Sequence, residues 1–135
     1  MDKKELDTRY DWVGPVDKVS KIRPIRLRRV ENESDSERVY REAREKLNEW
    51  NCDFWSKHNK LFENRKAQFY EERQKPIGGR NQMSANELSV FYKDFLNEQS
   101  SSFSAYNNEW YRRNIQLIWP AMRASFVRFK RILGR

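Results

Sequence analysis

From Val39 onward, apolar side chains recur every three or four residues. Tyr40, Ala43, Leu47, Trp50, Phe54, Leu61, Phe62, Phe69 and Tyr70 carry the pattern, with Glu42, Glu45, Lys46, Glu49, Lys57, Lys60 and Lys66 between them. This spacing places one apolar stripe along a helix. Just ahead of it, Ser34-Asp35-Ser36-Glu37 is a capping box, in which Ser34 accepts the third backbone N–H and Glu37 reaches back. No Pro or Gly intervenes before Pro76. The pattern predicts a helix over residues 35–74, roughly 60 Å long, which exceeds a compact domain of this size. Lys75-Pro76-Ile77-Gly78-Gly79-Arg80-Asn81 predicts the break.

Ser84-Ala85-Asn86-Glu87 is a second capping box, and Leu88, Phe91, Tyr92, Phe95 and Leu96 follow it on one helical side. A helix over 84–99 follows. Ser100-Ser101-Ser102 supplies a loop and an N-cap for a third helix over 102–133, with Phe103, Tyr106, Trp110, Asn114, Leu117 and Ile118 on one side. Pro120 lacks the N–H owed to residue 116, so it predicts a break there. Beyond it Met122, Phe126, Phe129 and Leu133 share a face. The fold class is therefore all-α: an elongated helical hairpin or three-helix arrangement.

Residues 1–33 lack helical periodicity and carry Gly14, Pro15 and Pro24. They read as an extended arm over a helical domain spanning 34–135. Trp12, followed by Gly14-Pro15, reads as an anchor for that arm or as a docking element.

A mean hydropathy of −1.11 and 36% charged residues lean toward a loosely packed chain. Eight Phe, five Trp and six Tyr argue instead for a thin aromatic core. The formal charge of +8 is concentrated in two places. The acid-free arm segment 18–30 holds one cluster: Lys18, Lys21, Arg23, Arg26, Arg28 and Arg29. The other is Arg112, Arg113, Arg123, Arg128, Lys130, Arg131 and Arg135, with no acid anywhere in 110–135. A basic amphipathic end implies an anionic surface: lipid headgroups, nucleic acid or an acidic protein face. No run approaches the ~18 apolar residues of a spanning helix. The first ten residues mix acids and bases, unlike a secretory signal or an Arg-rich presequence.

Catalytic chemistry finds little support. There is no Gly-rich phosphate loop, nucleophile elbow or His-Glu-x-x-His, and a single histidine leaves most triads without a base. The lone Cys52 and lone His58 lie six apart, about 120° around a helix, so they do not chelate a metal together. No cofactor is predicted; a haem role would have to rest on Cys52 or His58 singly. Trp50-Asn51 with Trp55, and Trp110-Tyr111 with Arg113-Asn114, read as core seams that border a docking surface.

Those same residues carry a family resemblance. Asp11-Trp12-Val13-Gly14-Pro15, Asp17-Lys18, Ser20, Arg23-Pro24, Glu31-Asn32-Glu33-Ser34, Glu49-Trp50-Asn51, Phe54-Trp55, Asn59, Phe91-Tyr92-Lys93, Phe95-Leu96, Tyr106-Asn107, Trp110-Tyr111 and Arg113-Asn114 resemble the cytochrome c oxidase assembly factor 8 family. The family is also called apoptogenic protein 1. Cys52, His58 and Pro120 fall outside the shared pattern.

The resemblance implies a non-enzymatic mitochondrial protein, made with a presequence. It would sit peripherally on the matrix side of the inner membrane and promote cytochrome c oxidase assembly or stability, with links to oxidative stress and apoptosis. The implied partners are oxidase subunits or assembly intermediates and an anionic, cardiolipin-rich lipid surface. Trp12, Gly14, Pro15, Trp50, Asn51, Trp55, Trp110, Tyr111, Arg113 and Asn114 become candidates for docking or arm anchoring. Arg123, Arg128, Lys130, Arg131 and Arg135 become candidates for the anionic surface. The alternative from charge and aromatics alone is a basic helical RNA-binding protein. It is disfavoured because no RRM, KH or helix-turn-helix pattern is visible and most aromatics occupy helical core positions.

Overall fold

The computed structural model describes residues 6–77 and 84–134. Within them two short strands precede three helices: β1 (Trp12–Val13), β2 (Ile25–Arg26), α1 (Asp35–Ile77), α2 (Ala85–Glu98) and α3 (Ser100–Leu133). The 43 residues of α1 span about 65 Å. Helices α2 and α3 return along it, one after the other. Phe69 and Phe62 of α1 meet Phe91, His58 meets Phe95 and Phe103, Trp50 meets Tyr106, and Glu37 meets Arg131. Falling numbers on α1 match rising numbers on α2 and α3. The fold is an elongated antiparallel hairpin in which one arm is a single helix and the other is two.

Three helix boundaries differ from the pattern-based expectation. Helix α1 includes Pro76 and ends at Ile77; residues 78–81 of the expected break lie outside the described residues. No serine loop separates α2 from α3. Gln99 alone joins them, its N–H reaching Phe95 O at 3.0 Å and its carbonyl accepting from Phe103 N at 2.9 Å, without a side-chain cap on α3. The third difference is Pro120, which lies inside a continuous α3. The proline still forfeits one backbone hydrogen bond. Docking on both sides offsets that loss: Leu117 is half-buried before it, Ala124 is 1% exposed after it, and Arg131 is tied to α1.

The second capping box forms in full, with Ser84 accepting from Glu87 N and Glu87 from Ser84 N. At the first, Ser34 Oγ accepts from Glu37 N at 3.2 Å, and the hydroxyl donates to Glu37 Oε1 at 3.1 Å.

The arm is a small hairpin rather than a purely extended strap. Trp12 pairs with Arg26 and Val13 with Ile25, antiparallel. Asp17 closes the turn: its Oδ1 accepts from Val19 N and Ser20 N, and Lys21 takes a left-handed backbone with φ of 63°. Polar side chains of α1 hold this hairpin. Asn48 accepts from Ile25 N at 3.3 Å and donates to Arg23 O at 3.0 Å. Asn59 donates to Val19 O at 2.7 Å, and Glu45 accepts from Leu27 N at 3.0 Å. Each bond satisfies a backbone group that a two-residue ladder leaves open.

Gly14 is buried, and its N–H donates to Pro24 O at 2.9 Å. A Cβ there would stand 2.4 Å from Trp12 Cη2 and 2.7 Å from Pro24 Cγ. The indole thus closes over Gly14 within the arm, and Pro15 beside it is exposed. Gly14→Ala should loosen the hairpin by about 1–3 kcal/mol, the usual range for overpacking. Amide exchange at Arg26 and at residue 14, whose N–H groups face the partner strand, checks this; unchanged protection would show that the close approach carries no weight.

Candidate functional site

Helix α3 is apolar on two opposite sides, and the two sides meet different surroundings. The inner side carries Phe103, Tyr106, Trp110, Arg113, Leu117, Ala124 and Arg131 toward α1. Tyr106 is its hub. The ring stacks on Phe54 at 4.1 Å and on Trp50 at 5.0 Å, the hydroxyl donates to Asn51 Oδ1 at 2.8 Å, and Trp55 Nε1 donates to the hydroxyl at 3.2 Å. Trp50, Asn51 and Trp55, candidates from sequence, therefore converge on one tyrosine of α3. Arg113 lies over the Trp50 ring at 4.7 Å and donates to Glu109 Oε1 at 2.8 Å. Arg112 and Arg113 together hold the Glu109 carboxyl down to about 2.

His58 sits among Phe54, Trp55, Phe95 and Phe103 rather than on a polar face, and burial lowers its pKa. Cys52 faces the arm instead, near Ser20, where burial pushes the thiol up. The two occupy separate surroundings. Among the described residues no three His, Cys, Asp or Glu side chains are grouped to hold a metal ion.

The outer side of α3 holds Ile115, Trp119, Met122, Phe126, Phe129 and Leu133, spaced four, three, four, three and four apart. All are 57–68% exposed. Ile118 and Ile132 widen the stripe, so Ile118 belongs here and not to the inner seam. Cations border it: Arg123 lies over Trp119 at 5.5 Å, and Lys130 Nζ over Phe126 at 4.7 Å. Such pairs bury the aliphatic stem along apolar surface and leave the charge at its edge. Tyr111 is exposed at the start of the stripe, edge-on to Trp110 at 5.2 Å. The Asn114 amide donates to Trp110 O at 2.7 Å and so serves its own helix.

The basic residues at the end of α3 divide between these sides. Arg131 Nη2 donates to Glu37 Oε1 at 2.6 Å, and Arg128 Nε stands 3.7 Å from Glu37 Oε2. Glu37 is 1% exposed, and the Arg131 guanidinium holds its carboxyl below the usual carboxylate range. The Glu37–Arg131 pair spans 94 positions, and the capping box already accounts for Glu37 in the sequence. No local signal announces it. Arg123 and Lys130 remain on the outer border, and Arg135 lies outside the described residues. Among the described residues no helix is long and apolar enough to cross a membrane.

The residues that form this hub lie within a stretch, residues 10–130, that matches the model of a known family, "Cytochrome c oxidase assembly factor 8". The chain belongs to the cytochrome c oxidase assembly factor 8 family. Within that family it is 58% identical over 130 residues to a mitochondrial COA8 family protein of Caenorhabditis briggsae, covering 96% of this chain and 92% of the relative. It is 38% identical over 116 residues to cytochrome c oxidase assembly factor 8 of Rattus norvegicus, covering 80% and 60%. The Homo sapiens protein of that name is 35% identical over 116 residues, covering 80% and 56%. The family's name indicates a role in cytochrome c oxidase assembly, and several relatives are named mitochondrial. No solved structure matches this chain.

Proposed function

We propose that this chain is a non-catalytic assembly factor for cytochrome c oxidase, held peripherally on the matrix face of the mitochondrial inner membrane. Links to oxidative stress and apoptosis belong to the same proposal. The observation that carries the membrane part is the outer stripe of α3: six apolar residues at 57–68% exposure, bordered by Arg123 and Lys130, in a segment without an acid. An amphipathic helix with apolar residues on one side and cations at its edge lies in the plane of an anionic interface. Each cation near such a surface contributes on the order of 1 kcal/mol. Tyr111, exposed at the start of the stripe, remains open to an oxidase subunit or intermediate.

Two measurements test the reading. Purification of the tagged chain from intact mitochondria should bring down oxidase subunits; recovery of RNA and mitoribosomal components without them would favour the nucleic-acid alternative. Met122→Glu with Phe126→Glu should lower binding to cardiolipin-containing vesicles by about tenfold or more, because both side chains leave the interface. Unchanged binding would remove the membrane face.

A further inference from the structure

A cavity of about 410 Å³ lies where the arm, the first turns of α1 and the last turns of α3 meet. Five arginines line it against three carboxylates. The carboxylates are already engaged. Glu37 is held by Arg131 at 2.6 Å, Glu33 by Arg41 at 2.9 Å, and Asp11 accepts from Arg28 N at 2.6 Å. Among the described residues, neither the Arg28 nor the Arg44 guanidinium has a carboxylate partner; Arg44 lies over the Tyr40 ring at 5.8 Å. Arg128 stands only 3.7 Å from the already paired Glu37. The lining therefore carries positive charge in excess of what its own acids neutralise.

We propose that this cavity binds a phosphate ester, with Arg28, Arg44 and Arg128 as the recognising cations. Planar guanidinium forks match phosphate oxygens, and a dianion accepts from several donors at once. The buried Glu37 has a positioning role, because it fixes Arg131 and draws Arg128 toward the same wall. Ile132 lines the cavity and is 67% exposed, one residue from the end of the outer stripe. A ligand with a phosphate head and an apolar body would seat its head between the arginines and run its body along α3. For a lipid ligand the inference rests on the membrane reading above; for a soluble phosphate ester it does not.

The test compares Arg28→Gln/Arg44→Gln with Lys57→Gln/Lys93→Gln, which removes the same charge from exposed positions on α1 and α2. Two probes are used on the full chain: soluble sn-glycerol 3-phosphate, followed by arginine Nε–H resonances, and phosphatidylcholine vesicles with and without phosphatidic acid. The arginine pair should lose about tenfold more vesicle affinity than the lysine pair, as expected when near-surface cations act at a site rather than as bulk charge. Saturable glycerol phosphate binding that the arginine pair abolishes, with equal vesicle losses in both pairs, would assign the site to a soluble ester. Glycerol phosphate binding that survives in the arginine pair, or is absent altogether, combined with equal vesicle losses, would overturn the proposal. The Met122 and Phe126 variants keep these arginines, so a failed membrane face leaves the soluble arm readable.

Discussion

Tyr106→Ala is expected to cost about 3–5 kcal/mol of stability, the range for deleting a packed aromatic ring. The reason lies in how thin this fold is. Among the described residues the buried apolar side chains are Phe91, Phe95 and Ala124, and none of these lies in the middle of the α1–α3 contact. That stretch depends on the half-buried stack of Trp50, Phe54, Trp55 and Tyr106. Removing the tyrosine takes away two stacked partners together with the acceptor for Trp55 Nε1 and the donor to Asn51. Tyr106→Phe separates the two contributions. It keeps the ring, leaves the indole N–H and the Asn51 carbonyl without their partner, and should cost about 1 kcal/mol, since water can reach half-buried groups. Urea unfolding followed by far-ultraviolet circular dichroism measures both. An alanine variant within 1 kcal/mol of the parent would mean that the α1–α3 hairpin is held elsewhere.

How much of this could be read beforehand depends on range along the chain. Local signals were legible: Ser84 and Glu87 cap α2 as their spacing requires, and Trp50, Phe54 and Tyr106 fall on the apolar sides of their helices. Pro120 misled because a proline's local cost is fixed, whereas the docking of Leu117, Ala124 and Arg131 that offsets it is tertiary. Asn48 and Asn59 look like solvated helix positions until the arm arrives with open backbone groups for them. The two-residue strands are too short for an alternation to register. The candidate surface was half legible. The apolar face from Met122 to Leu133 was visible, but its basic residues could not be sorted into inward and outward sets without Glu37.

That sorting makes Glu37→Gln the second large effect, expected to cost about 1–3 kcal/mol. Breaking a fully buried ion pair costs more, roughly 3–5 kcal/mol, but the Arg131 side chain is 33% exposed and water screens it once its partner is neutral. The amide keeps the volume and can still accept from Ser34 or Arg131, so the loss reports charge rather than packing. The pH dependence gives an independent check. The folded Glu37 carboxyl titrates below its ordinary value of 4.5, so in that acid range the unfolded chain binds the proton first. Its stabilising contribution is therefore complete above about pH 4.5 and disappears as pH falls through the lowered value. In Glu37→Gln the acid limb of the stability curve should be shallower, with the difference vanishing at low pH. Amide exchange at Ala124 and Arg131 should rise in the variant more than at Tyr106, because the lost pair anchors only the end of α3. An acid limb identical to that of the parent would mean that Glu37 is not what holds the basic end of α3 against α1, and Arg128 and Arg131 would return to the outer, lipid-facing set.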